Sequence, residues 1–128
     1  MAEMAQKSHV ARLVPMAHAA DVQRAADFYK LLGFEVRGNL RDHAGQLQWV
    51  YLACAQAELM LARASGTVPA SEQAVLFYLY SPDLIAVREH LLTNGIEVSE
   101  ITYPHYMPKG EIRLEDRDGY VLLIGQSD

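Results

Sequence analysis

The chain says the same thing twice. Asp21, Val22, Ala25, Tyr29, Gly33, Phe34, Glu35 and Val36 are matched in order by Asp83, Leu84, Val87, Leu91, Gly95, Ile96, Glu97 and Val98, with Asp21 and Asp83, like Gly33 and Gly95, standing 62 residues apart. A recurrence of aspartate, amphipathic helix, glycine and strand at constant spacing marks a small duplicated module that buries its apolar faces only when paired. Two such modules enclose a space between them, and function is expected there.

Each copy reads as β-α-β-β-β. In the first, Ala11–Ala17 is a short apolar strand, Asp21 caps a helix over Val22–Leu32, and Gly33 stops it. Phe34–Asn39, Gln46–Ala53 and Ala57–Arg63 follow as strands. In the second, Val75–Tyr80 precedes the helix that starts at Asp83 and ends at Asn94-Gly95, after which Ile96–Thr102, Gly110–Glu115 and Tyr120–Gly125 are strands. Asp116–Gly119 is read as a hairpin turn, because a calcium loop needs more oxygen ligands than follow it. The expected organisation is a mobile N-terminus over 1–10 and a single α+β domain over 11–128. Its modules, 11–63 and 75–126, are joined by linker 64–74 and form a cup-shaped mixed sheet with helices outside.

Charge and cysteine usage narrow the function classes. At 128 residues and a formal net charge of −5, the chain has no basic face for a nucleic-acid backbone. Its one cysteine, Cys54, excludes an intrachain disulfide and fits a reducing cytoplasm. The opening residues lack the apolar core of a signal peptide and no run reaches membrane-spanning length, so a cytoplasmic protein without a membrane partner is expected.

These landmarks resemble the vicinal oxygen chelate superfamily, which includes glyoxalases, extradiol dioxygenases and bleomycin resistance proteins. The resemblance is carried by Val14-Pro15 with Asp21, by Asp27-Phe28-Tyr29 with Leu32-Gly33-Phe34, and by Glu115-Asp116-Arg117-Asp118-Gly119-Tyr120, and spans Ala11 to Gln126. In metal-dependent members it implies four His or Glu ligands, from the first and last strand of each module. Carried over here, those positions are Val14, Met60, Leu76 (or Phe77) and Leu123, none of which is an imidazole or carboxylate. No metal and no other cofactor is therefore expected.

An apolar cup with few polar groups suits a partly apolar organic ligand. By strand alternation Met16 and His18 share a face with Val14, Glu58 with Met60, and Glu111, Arg113 and Glu115 face inward while Ile112 and Leu114 pack under the helices. Trp49, Tyr51, Tyr103 and Tyr106 would add flat surfaces, although Trp and Tyr are also ordinary strand residues. Arg113 would favour a carboxylate or phosphate. The Tyr103-Pro104-His105-Tyr106-Met107-Pro108 segment would lie over the mouth or cover a sheet edge. The expected ligand contacts are His18, Trp49, Glu58, Met60, His105, Tyr106, Glu111, Arg113 and Leu123.

Among metal-free relatives, the Val14-Pro15 opening and the Leu32-Gly33-Phe34 helix exit are most similar to bleomycin resistance proteins, which implies a homodimer sequestering a cationic aromatic drug in interfacial grooves. The alternative is a lyase, isomerase or dioxygenase of the same superfamily, in which His18, Glu58, His105 or Glu111 binds an ion or moves protons from other positions. A sensing or partner-binding module without chemistry is not separable from the first reading by sequence.

Overall fold

The computed structural model describes His9 and residues 11–67 and 69–128, so the expected mobile N-terminus falls, His9 apart, outside the described residues. The order is β1 (Met16–Ala19), α1 (Val22–Lys30), β2 (Glu35–Arg41), β3 (Leu47–Cys54), β4 (Ala57–Arg63), a short 3-10 turn at Ala70–Glu72, β5 (Leu76–Ser81), α2 (Leu84–Thr93), β6 (Glu111–Glu115) and β7 (Val121–Gln126). The duplicated aspartates do the same work twice. Asp21 Oδ1 accepts from the Arg24 amide, and Asp83 Oδ1 accepts from the Ala86 amide, each at 3.1 Å. Gly33 and Gly95 leave the helices at φ +98° and +78°, the left-handed conformation in which glycine carries no Cβ penalty.

The fold class is α+β, as expected, but the strands form two mixed sheets that do not close on one another. One sheet has the order β1-β4-β3-β2 and the other β5-β7-β6. In each, the first strand runs parallel to the last and the remaining pairs are antiparallel. α1 packs on β3 and β4, and α2 on β6 and β7. Helices and sheets share one core in which Tyr29, Val50, Leu52, Leu61, Leu91 and Leu122 are almost wholly buried.

Two expected strands change. The first begins at Met16 instead of Ala11; Pro15 has no N–H to donate, and its carbonyl receives the Met60 amide at 2.9 Å just before the ladder starts. Ile96–Thr102 is not a strand. There the Ser99 carbonyl is taken by Arg88 Nε at 2.8 Å, and the Arg113 amide bonds to the Ser99 hydroxyl at 2.8 Å instead of to a backbone carbonyl. Beside β6 the Ser99 amide still donates to the Arg113 carbonyl at 3.0 Å, and Thr102 and Glu111 form an isolated bridge.

The modules are pinned together through the turn after β6. The Tyr29 hydroxyl on α1 donates to Asp116 Oδ2 at 2.7 Å, while Asp116 Oδ1 accepts the Asp118 and Tyr120 amides at 2.9 Å each. Asp118 Oδ1 in turn accepts the Ala20 amide at 3.0 Å. Burial raises the Asp116 carboxyl above its ordinary range, and the three donors pull it back.

Candidate functional site

Strand alternation divides each sheet into a helix-covered side and an open side. In the first sheet Ala17, Ala19, Leu59, Leu61, Val50 and Leu52 are buried, so Met16, His18, Glu58, Met60, Trp49 and Tyr51 occupy the other face. The ladder sets Met16 beside Met60, Met60 opposite Tyr51, and Trp49 opposite Ala62. Trp49 Nε1 lies 3.3 Å from Met60 Sδ, and its ring stands over Gly38, where a Cβ would meet it at 3.6 Å. Glu58 is matched by Arg12, whose Nε lies 3.1 Å from Oε1. Tyr51 joins the pair, accepting from Arg12 at 2.8 Å and donating to Glu58, a bond that raises its phenol above the ordinary range. Arg12 was not among the expected contacts, although alternation in the expected Ala11–Ala17 run places it on the face of Val14; in the structure it precedes β1.

The open face of the second sheet has three rows. Leu76, Val121 and Glu115 form one, Tyr78, Leu123 and Arg113 the next, and Tyr80, Gly125 and Glu111 the last. Glu111 is only 6% exposed. Tyr78 donates to its Oε2 at 2.5 Å and Tyr106 to its Oε1 at 3.0 Å. Both phenols are raised, Tyr78 chiefly by burial and Tyr106 chiefly by that hydrogen bond. The segment carrying Tyr106 folds back over this corner: a Cβ on Gly125 would meet Met107 Cε at 2.7 Å and the Tyr78 hydroxyl at 3.0 Å. Arg113 turns to Glu115, with Nη2 3.2 Å from Oε2, so its charge is already answered.

The nine expected contacts thus lie on two surfaces and an adjoining segment. His18, Trp49, Glu58 and Met60 belong to the first face, and Glu111, Arg113 and Leu123 to the second, with His105 and Tyr106 in the segment beside it. Glu111 is held by two tyrosines, and no hydrogen bond or ion pair among the described residues involves His18 or His105. Tyr78, like Arg12, is a residue that sequence reasoning missed. Alternation with Leu76 and Tyr80 was the available signal.

Carrying the metal positions onto the ladder shifts the first-strand members by one alternation. Level with Met60 stands Met16, and level with Leu123 stands Tyr78. The donor set is two thioether side chains, an alkyl chain and a phenol held by Glu111, which does not suit a divalent ion of the kind imidazole and carboxylate bind. Among the described residues no three His, Cys, Asp or Glu side chains converge.

The two faces are open in the single chain. Met16, Leu40, Leu76 and Tyr80 are all more than half exposed. Two hollows border the second module: one of about 650 Å³ between Phe28, the 95–99 segment and 113–117, which takes in Arg113 and Glu115, and one of about 360 Å³ between Leu31, Leu79, Tyr80, Val87, His90 and Ile124. No helix among the described residues is long and apolar enough to cross a membrane.

The family model described as Glyoxalase/Bleomycin resistance protein/Dioxygenase superfamily matches residues 9–124. No curated protein sequence matches the chain. Solved structures share the fold at low identity. A bleomycin-binding protein complexed with bleomycin is 20% identical with a TM-score of 0.72, covering 93% of this chain and 100% of its own. A bleomycin resistance determinant encoded on the transposon Tn5 is 20% identical with a TM-score of 0.73, over 93% and 99%. TnmS3, an antibiotic binding protein from Streptomyces sp. CB03234, is 20% identical with a TM-score of 0.71, over 95% and 100%.

Proposed function

Because the chain belongs to the Glyoxalase/Bleomycin resistance protein/Dioxygenase superfamily, we propose that it is a metal-independent binding protein that sequesters a partly apolar small molecule, working as a homodimer in the cytoplasm. The carrying observation is the pair of open faces: aromatic and apolar side chains surround a few polar groups at the level where metal-dependent members hold an ion. Such a lining desolvates an organic molecule and orients it, and offers a divalent cation little. The bleomycin-binding and antibiotic-binding neighbours support the same class of ligand.

Exposure supports the dimer that the resemblance implies. Met16, Leu40, Leu76 and Tyr80 form the kind of exposed apolar surface that marks an association or ligand-binding site. A second copy, presenting one of its faces to one of these, would complete the hollow that a single chain leaves unroofed. His18, Trp49, Glu58, Met60, His105, Tyr106, Glu111, Arg113 and Leu123, with Tyr78 and Arg12 added, would line it.

Titration with bleomycin and with Nile red, a neutral aromatic dye, followed by Trp49 fluorescence and heat, tests the reading. Saturable binding by protein stripped with a chelator is expected, and no response to any aromatic compound rejects it. A stoichiometric transition metal in protein purified without chelators would favour the lyase, isomerase or dioxygenase alternative. A monomer by light scattering at micromolar concentration would refute the dimer.

A further inference from the structure

The two faces treat their carboxylates differently. Glu58 is neutralised by Arg12. The side chain of Glu111, 6% exposed, meets among the described residues only the hydroxyls of Tyr78 and Tyr106; the neighbouring cations are committed elsewhere, Arg113 to Glu115 and Lys109 to Asp128. A buried carboxylate without a cationic partner favours a positive charge brought to it. Two phenols contact it, and the ring of Tyr80 lies against one of them. Tyr78 and Tyr80 lie with centroids 5.2 Å apart, tilted by 43°, and Tyr80 and Tyr106 are exposed over most of their surface. Phenols that donate to a carboxylate carry more electron density on the ring, which deepens the attraction of the ring face for a cation.

We propose that Tyr78, Tyr80, Tyr106 and Glu111 form a subsite for an alkylated ammonium group of the ligand. The ring faces contact the N-methyl or N-alkyl surface, and the carboxylate behind them supplies a field that bulk water screens little. This rests on the small-molecule binding reading above and gives the site a direction. The cationic end of the ligand lies on the second module, and its neutral aromatic part lies towards Trp49 and Met60.

The test compares choline with 3,3-dimethylbutan-1-ol, its uncharged carbon isostere, on the full chain by calorimetry and by NMR of the tyrosine rings. Choline should bind about tenfold more tightly and shift the Tyr78, Tyr80 and Tyr106 resonances. Glu111→Gln should bring the two probes to within about twofold. Should Glu111→Gln fail to fold, Tyr80→Leu, at an exposed ring, serves instead: it should weaken choline and leave the isostere unchanged. Equal affinities in the parent protein, or choline binding without tyrosine shifts, overturn the subsite. Nile red binding without choline recognition overturns the subsite alone, and binding of neither overturns the sequestration reading with it.

Discussion

Replacing Tyr29 by Phe removes one oxygen and tests whether the two sheets are held in place by a buried hydrogen bond. The hydroxyl belongs to α1, and its acceptor, Asp116, lies 87 residues later in the turn that joins β6 to β7. Asp116 is 8% exposed and keeps the Asp118 and Tyr120 amides after the change, but Oδ2 loses its only donor among the described residues. A hydrogen bond to a charged acceptor contributes roughly 1.5–3 kcal/mol, so the variant should lose about 2 kcal/mol at neutral pH. For a chain of this size that is a fall of about 6–10 °C in Tm.

The loss should depend on pH in a definite direction. Burial already holds the Asp116 carboxyl above its ordinary range, and the Tyr29 hydroxyl is among the groups that lower it; without that hydroxyl the folded value climbs further. A folded carboxyl above its unfolded value costs stability when ionised, and the cost disappears as pH falls through the folded value. The deficit of Tyr29→Phe should therefore be largest at neutral pH and shrink as the solution is brought towards the ordinary carboxyl range. Urea denaturation of both proteins across that window measures it. A variant as stable as the parent at neutral pH, or a deficit that does not change with pH, would refute the reasoning.

Three further outcomes are expected. Gly119→Ala should cost at least about 2 kcal/mol in the same urea assay, because φ is +86° and the new Cβ would lie 2.5 Å from Ala70 Cβ and 2.6 Å from its carbonyl oxygen. In alkali, Tyr29 stays protonated in the fold while the unfolded phenol ionises near 10.0, so stability present below that pH should fall above it by about 1.4 kcal/mol per pH unit; a flat profile by denaturation would contradict its burial. Cys54, whose thiol is raised by burial and by Glu35, should react with a disulfide reagent at neutral pH more slowly than an unstructured thiol does, and faster reaction would show that the end of β3 is open.

How much was legible in the amino-acid order varied with how local the cause was. Both helices, their aspartate caps and their glycine exits follow from contacts within a few residues, and β4 begins and ends where alternation places it. Ile96–Thr102 has the composition of a strand, yet Arg88 and the Ser99 hydroxyl divert its hydrogen bonds, and Arg88 reaches Ser99 from a different element. Inward and outward positions on the sheets followed from the period of two. What each inward carboxylate would meet did not, because Arg12 reaches Glu58 from irregular chain and Tyr78 reaches Glu111 across the sheet.

The sequence by itself therefore determined the duplication, the α+β class and the lack of imidazole or carboxylate at the positions that correspond to the metal ligands of metal-dependent members, all of which are written in spacing and residue type. Only the tertiary structure decided that the strands split into two open sheets and that Asp116 joins them through Tyr29. It alone decided, too, that one inward carboxylate is neutralised while the other is framed by tyrosines. The physical reason is that pairing energies depend on which distant side chain arrives within about 3 Å, and a linear pattern carries no record of that distance.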